Sequence, residues 1–209
     1  MRILITAGPT REYLDPVRYL SNASSGRIGA ALAAAAAKQG HHVTLVSGPV
    51  ALEPPEVDDL VAVTSAAEML AAVAARFDDC DVFIAAAAAA DFRPAARADH
   101  KLKKSEGKVA LDLKPTADIL AEMSRRKTRQ TLVGFCLESE DLEARARAKL
   151  EAKGLDLVVA NSPDAIAADR QDALLISRDG ACERLTQVTK ADLAARVLAA
   201  VAAAGNRPD

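Results

Sequence analysis

Apolar residues along this chain gather in short runs, and the runs alternate with alanine-rich stretches whose polar positions recur at helical spacing. Arg2-Ile3-Leu4-Ile5-Thr6 is the first such run. It stops at Ala7-Gly8-Pro9-Thr10 and reads as a strand. Val43 to Val46, Leu60 to Val63, Asp81 to Ile84, Leu132 to Phe135 and Leu155 to Val159 repeat the pattern. Between them the spacing predicts helices from about Gly26 to Lys38, ended by Gly40, and from Ser65 to about Phe77. The second opens on Ser65-Ala66-Ala67-Glu68, which has capping-box spacing. Asp118 caps a helix to about Lys127, a fourth runs from about Asp141 to Lys153, and a last one from about Ala191 to Ala203.

Strands that alternate with helices imply an α/β fold built on a parallel sheet. Two segments break the alternation. Lys101 to Leu113, with Ser105-Glu106-Gly107 at its centre, predicts a β-hairpin flap; Leu174 to Ile176 and Arg184 to Val188 flank Asp179-Gly180 and predict a terminal hairpin. The expected architecture is a Rossmann-like three-layer sandwich in one domain over residues 1–209. Its central sheet is mostly parallel, with a β-hairpin flap and an antiparallel C-terminal hairpin. The run Ala85 to Ala90 is ambiguous, since alanine favours helix, but Val82-Phe83-Ile84 before it is β-prone and its first part is taken as strand. Small side chains there either let a ligand touch the backbone or serve plain helix-to-sheet packing.

The connector between the first strand and the first helix is far longer than α/β units use, about 2–6 residues. It ends in Asn22-Ala23-Ser24-Ser25-Gly26-Arg27-Ile28-Gly29. A Ser-Ser-Gly turn entering a helix offers unpaired N–H groups, two hydroxyls and the positive end of the helix dipole, which suit a phosphate. The alternative is that Ser24 or Ser25 only caps the helix while Gly26 and Gly29 allow close packing on the sheet. A nicotinamide-dependent reductase fits poorly. There is no compact G-x-G-x-x-G, the second strand ends in Ser47-Gly48-Pro49 without an acid, and neither Tyr13 nor Tyr19 has a lysine four residues on.

Charge narrows the classes further. With 27 basic and 29 acidic residues the formal net charge is −2, and with no Trp, two Tyr and four Phe, nothing points to nucleic acid or a membrane surface. Residues 97–114 carry six basic side chains (Arg97, Lys101, Lys103, Lys104, Lys108, Lys114) against three acidic (Asp99, Glu106, Asp112). That local excess suits either an anion or a solvated edge guarded by lysines. Arg145, Lys149 and Lys153 share a helix face, where they repel unless an anion or an acid such as Glu138, Glu140 or Asp141 intervenes. Three widely spaced cysteines, Cys80, Cys136 and Cys182, fit a reducing cytoplasm. A strand that begins at once leaves no room for a signal peptide.

Taken together, several segments resemble phosphopantothenate-cysteine ligase, the phosphopantothenoylcysteine synthetase of coenzyme A biosynthesis. They are Gly8-Pro9-Thr10-Arg11-Glu12, Asp15-Pro16-Val17-Arg18, Ser21-Asn22-Ala23-Ser24-Ser25-Gly26, Asp91-Phe92-Arg93, Lys101-Leu102-Lys103-Lys104, Asp118-Ile119, Gly134-Phe135, Lys149, Lys153 and Asn161. The resemblance covers nearly the whole chain. It implies an enzyme that uses CTP, with Mg²⁺, to activate the carboxylate of 4′-phosphopantothenate as an acyl-cytidylate, which the amine of L-cysteine then displaces. It implies catalytic roles for Asn22, toward the acyl oxygen, and Lys101, toward the nucleotide. Arg18, Asn22, Ser24, Ser25 and Gly26 are implied for substrate. The nucleotide is assigned Gly8, Ala85, Ala86, Ala87, Asp91, Lys101, Ala117, Asp118, Ile119, Leu120, Phe135, Lys149 and Lys153. Metal ligands are not indicated. The flavin-dependent decarboxylase domain that precedes most bacterial members is not in this sequence, so no FMN is expected. A homodimer to which the flap contributes is expected. Ala117 stands where the family commonly has proline, and Cys136-Leu137 replaces a smaller pair. A non-catalytic nucleotide-binding module is the competing reading, and turnover separates the two.

Overall fold

The computed structural model describes residues 1–104, 110–166 and 168–205. Among these the chain runs β1 (Arg2–Ala7), β2 (Arg11–Tyr13), β3 (Tyr19–Ser21), α1 (Arg27–Lys38), β4 (His42–Ser47), β5 (Asp59–Ala62) and α2 (Ala66–Ala74). It continues through β6 (Val82–Ala85), β7 (Phe92–Pro94), β8 (Leu113–Pro115), α3 (Ile119–Arg126), β9 (Thr131–Leu137) and α4 (Leu142–Ala152). β10 (Leu157–Asn161), β11 (Arg170–Ser177), β12 (Cys182–Thr189) and α5 (Lys190–Gly205) complete it. Short 3₁₀ turns lie at Phe77–Asp79 and Pro163–Ala165.

Eight strands form one sheet in the order β12-β11-β10-β9-β6-β1-β4-β5. β5 through β10 are parallel, and β11 and β12 add antiparallel at one edge. Strand periodicity sorts β1 between two cores. Ile3 and Ile5 pack with Leu32 and Ala36 of α1 and Val197 and Val201 of α5 on one face. Leu4 joins Met69 and Val73 of α2, Phe77, and Met123 of α3 on the other. Each fully buried aliphatic side chain contributes about 1.5–3 kcal/mol. The result is the expected three-layer α/β sandwich. Among the described residues no helix is long and apolar enough to cross a membrane.

Strand order sets where a ligand can bind. From β1 the chain moves outward to β4 and β5, then returns across β1 to β6, β9 and β10. The carboxyl ends of β1 and β6 therefore diverge at a topological switch point, the crevice where open α/β sheets take ligands.

Several expectations need revision. The long connector is itself folded, as a small antiparallel sheet of β2 and β3 that no apolar run signals. The alanine run agrees with the reading of its first part as strand: Ala85 ends β6, and the rest is loop without helix. Among the described residues, Lys101–Lys104 form no strand of the expected hairpin, and Leu113–Pro115 pairs with Phe92–Pro94. Its central Ser105-Glu106-Gly107 turn lies outside the described residues. α2 stops at Ala74, short of Phe77, which starts a 3₁₀ turn.

Candidate active site at the carboxyl edge of the sheet

Polar side chains of the connector each pin a different loop. Thr10 Oγ1 accepts from Ala90 N at 2.9 Å, and buried Glu12 accepts from Ala66 N at 2.8 Å. Thr6 Oγ1 accepts from Ala87 N at 3.3 Å, and Ala88 N donates to Gly8 O at 2.9 Å. Fully buried Asp15 accepts from Val17 N (2.7 Å), Arg18 N (2.8 Å) and Leu102 N (3.1 Å). Burial alone raises a carboxyl pKa, but these three N–H bonds and the Arg18 charge hold Asp15 below its ordinary range. Arg18 donates to Leu102 O at 2.8 Å, so the turn of the β2–β3 hairpin clamps the base of the segment that carries Lys101.

The entry to α1 is left open. Its N-cap is Gly26, at φ +74°, with no side-chain cap bond. Neither Ser24 nor Ser25 caps the helix, which removes that reading; Ser24 Oγ instead accepts from Gly26 N at 3.4 Å. Close packing is also real. A Cβ on Gly29 would lie 2.4 Å from Ala7 Cβ, so α1 rests directly on the end of β1. Among the described residues no side chain caps the N–H groups of the first turn, and Gly26, Arg27 and Ile28 line the crevice.

That crevice is a cavity of about 600 Å³, within the range of small-ligand sites. Asn22 through Ile28, Ala86 to Ala88 and Asp91 form its wall, with Phe135, Leu137, Glu138, Lys149, Asn161 and Lys190 around the rim. Asn22 Nδ2 donates to Ala89 O (3.0 Å) and Ala88 O (3.4 Å), which holds the amide across the mouth of β6. Lys149 Nζ donates to Phe135 O at 2.6 Å. A second cavity of similar size lies behind the same connector, lined by Asn22, Ser24, Ser25 and Arg27 together with Arg11 and Tyr19.

Of the residues expected at the site, Asn22, Ser24, Ser25, Gly26, Ala86, Ala87, Asp91, Phe135 and Lys149 share this cavity. Gly8 and Ala85 lie off its lining, at the ends of β1 and β6. Lys153 and Asp118 pair at 2.6 Å and sit next to Lys149, whose charge also helps hold the Asp118 carboxyl low. Ala117 is exposed, whereas the side chains of Ile119 and Leu120 are in the core, so any ligand contact there is through backbone. Arg145 takes Glu138 at 3.3 Å, so each cation on that face of α4 has its own acceptor. Arg18 and Lys101 do not line the cavity; both belong to the neighbouring hairpin platform. Arg27, Ile28, Leu137, Glu138, Asn161, Ala165, Ile166 and Lys190 line it without having been assigned from sequence. Arg27 and Ile28 lie in the helix-entering stretch that stood out in the sequence, Glu138 was an acid considered for the α4 cations, and Asn161 sits in an Asn-Ser-Pro stop after a strand; Lys190 carried no local signal.

Burial pushes the Cys80 thiol up to about 12, with Asp81 adding to it, and burial raises Cys136 as well. Cys136 is a strand residue of the core. Neither is a poised nucleophile. Among the described residues no group of three or more His, Cys, Asp or Glu could hold a metal ion.

A family model described as DNA/pantothenate metabolism flavoprotein C-terminal domain matches residues 1–204. The coenzyme A biosynthesis bifunctional protein CoaBC of Bacillus subtilis (strain 168) is 45% identical over 206 residues, 96% of this chain and 51% of that protein. The chain thus spans about half the length of the curated relatives it matches. A crystal structure of the C-terminal domain of a coenzyme A biosynthesis bifunctional protein CoaBC is similar with a TM-score of 0.82 at 39% identity, covering 95% of this chain and 92% of that one. The DNA/pantothenate metabolism flavoprotein from Streptococcus pneumoniae gives a TM-score of 0.85 at 25% identity, over 97% and 99% of the two chains.

Proposed function

This chain belongs to the DNA/pantothenate metabolism flavoprotein C-terminal domain family, and from that premise we propose that it joins 4′-phosphopantothenate to L-cysteine at the expense of CTP. The observation that carries the reading is one cavity at the β1/β6 switch point, where the Asn22 amide, the open start of α1, Asp91 and Lys149 meet. The relatives, bifunctional proteins of coenzyme A biosynthesis, support the same reading.

A carboxylate resists an amine because its oxygen leaves poorly, so the acid is activated first. A carboxylate oxygen of 4′-phosphopantothenate attacks the α-phosphorus of CTP, forming the acyl-cytidylate and releasing pyrophosphate. The cysteine amine then attacks the acyl carbon, CMP leaves, and the amine gives up its proton. Asn22 donates from its amide to the acyl oxygen as negative charge collects there, a kind of contact whose loss costs about 10²–10³ in rate. Ser24, Ser25 and the first-turn N–H groups of α1 take phosphate oxygens. Ala86 and Ala87, small enough for a ligand to reach their backbone, together with Asp91, Phe135 and Lys149 take the nucleotide. Gly8 and Ala85 shape the floor beneath it, and the Ala117–Leu120 backbone and Lys153 extend the same wall. Arg18, for the phosphopantothenate, and Lys101, for the phosphates, lie outside the cavity of a single chain, and in this reading a second copy of the chain brings them to it.

A Mg²⁺ ion accompanying CTP would supply neutralisation of phosphate charge. The residues present fit that role, because such an ion keeps several waters and needs only one or two carboxylates, which Asp91 and Glu138 provide at the cavity. FMN has no part in this chemistry. The enzyme works as a cytoplasmic homodimer. Val17, Tyr19, Phe92, Leu102, Leu111 and Leu113 are exposed apolar residues concentrated on the two small sheets and the chain between them, a surface suited to a second copy.

The test is pyrophosphate release from CTP by the purified chain. Release that depends on 4′-phosphopantothenate, with product only when cysteine is added, is the expected result. Nucleotide binding without release would replace the ligase with a binding module.

A further inference from the structure

We propose that Lys190 and Arg27 form a phosphoryl-binding subsite of the cavity, on the opposite face of the sheet from Lys149. Lys149 projects from α4, whose Ala146 packs into the core with α2 and α3. Arg27 and Lys190 open α1 and α5, the two helices that pack together on the other face. The cavity therefore straddles the carboxyl edge of the sheet with cations above and below.

Lys190 is placed where the folded chain alone gains little from a cation. It stands in the first turn of α5, at the positive end of the helix dipole. Its amine is half-buried and donates to two neutral acceptors, Ala165 O at 2.6 Å and Gln171 Oε1. Among the described residues it forms no ion pair; the nearby Asp169 is exposed and pairs with Arg27 at 3.2 Å. Burial first, and then the Arg27 charge, lowers the pKa of its amine, with the Asp169 charge opposing them. Gln171 is only 3% exposed and, with its carbonyl turned to Lys190, leaves Nε2 as the sole buried side-chain polar atom without a partner among the described residues. Three locally unfavourable features thus fix one ammonium group at the cavity wall. An anion in the cavity adds an attraction to each of Lys190, Arg27 and the helix start, which offsets their mutual repulsion.

A phosphoryl group suits the donors better than a carboxylate does. Lys190, Arg27, the hydroxyls of Ser24 and Ser25 and the uncapped start of α1 are more donors than two carboxylate oxygens can use, and they surround one space. The inference rests on the reading that phosphorylated substrates enter this cavity. The group is either part of the nucleotide's polyphosphate or the terminal phosphate of the acid.

The test uses the full chain and the variants Lys190→Met, Lys190→Arg and Arg27→Gln. Binding of inorganic pyrophosphate and of inorganic phosphate is measured by calorimetry, and KM is measured separately for CTP and 4′-phosphopantothenate. Lys190→Met and Arg27→Gln are expected to weaken pyrophosphate binding about tenfold or more, and Lys190→Arg to stay within about threefold of the parent. KM for one substrate rises about tenfold with kcat changed far less. A rise confined to CTP identifies the polyphosphate, and one confined to the acid identifies the terminal phosphate. Wild-type probe binding and both KM values unchanged in Lys190→Met and Arg27→Gln would overturn the proposal. So would a lowered melting temperature as the only effect, which would make Lys190 a tether for Ala165. Lys190-dependent pyrophosphate binding in a chain with no ligase turnover would sink the ligase and leave the subsite standing.

Discussion

The two edges of the parallel sheet are built from the same strands, yet their polar groups meet different fates. At the amino edge, carboxylates close the strand starts. Asp81 accepts from Arg2 N at 2.7 Å and from Arg129 at 2.5 Å, and Asp156 accepts from Leu132 N at 2.8 Å and from Lys127 at 2.5 Å. Asp58 accepts from Val43 N at 2.8 Å. Hollows of about 180 and 490 Å³ lie along that edge, the second a shallow one beside Asp58. At the carboxyl edge Lys149 and Lys190 donate to neutral oxygens, α1 begins without a side-chain cap, and the cavity reaches about 600 Å³. The carboxyl edge also holds cation–carboxylate pairs, Arg27 with Asp169 and Lys153 with Asp118, so it is Lys149 and Lys190, matched only to neutral oxygens, that set it apart and stand ready for an anion from outside.

Substitutions on the two edges should therefore fail in different ways. The largest effect is expected at the carboxyl edge. Asn22→Asp should lower product formation by about 10²–10³ while pyrophosphate release continues, so that acid-quenched reactions accumulate acyl-cytidylate. Product at the wild-type rate would remove Asn22 from the chemistry. Next comes the packing beneath the site. A Cβ at Gly48 would lie 1.8 Å from Pro9 O, backbone that cannot swing away. Gly48→Ala should destabilise the fold by about 2–4 kcal/mol in urea titration; an unchanged midpoint would show that the β1–β4 corner yields.

Asp81 then probes the closed edge. The Arg2 N–H first, and then Arg129, hold its carboxyl below the ordinary 3.8. A folded pKa below the unfolded one means that its stabilisation is complete above about pH 4 and is lost as pH falls through the folded value. Asp81→Asn should thus lose about 1 kcal/mol at pH 7, given its partial exposure, and less under acid, with KM for both substrates unchanged. Equal losses at pH 7 and pH 2.5 would contradict that account. The smallest effect belongs to Arg147, paired with Glu143 on the exposed side of α4 at 2.9 Å. Arg147→Ala should cost less than about 0.5 kcal/mol and leave turnover intact. A larger change would mean that α4 is coupled to the site beyond Lys149.

What the amino-acid pattern determined by itself is whatever rests on near neighbours in the chain. Apolar runs marked the sheet strands because a doubly covered strand needs consecutive apolar residues, as in β1 and β9. Ser65 and Glu68 marked α2 because a capping box closes within four residues, and the box is present. Asn22 through Gly26 stood out because a Ser-Ser-Gly turn entering a helix is a local arrangement. Tertiary structure decided what depends on distant partners. β2 and β3 are three residues each and carry no apolar run, and their hairpin is set by Glu12, Thr10 and Asp15 bonding loops far along the chain. The lysine-rich segment alternates like one arm of a local hairpin, yet Leu113–Pro115 pairs with Phe92–Pro94, next to Thr116, which donates to Asp91 O and Ala90 O of the loop after β6. Lys190 lies at the start of the last helix with nothing in its neighbours to mark it, and it becomes part of the cavity only because α5 packs beside α1 on the same face of the sheet. Periodicity and capping act over a few residues, whereas the convergence of charges on a shared space is a property of the order in which strands join.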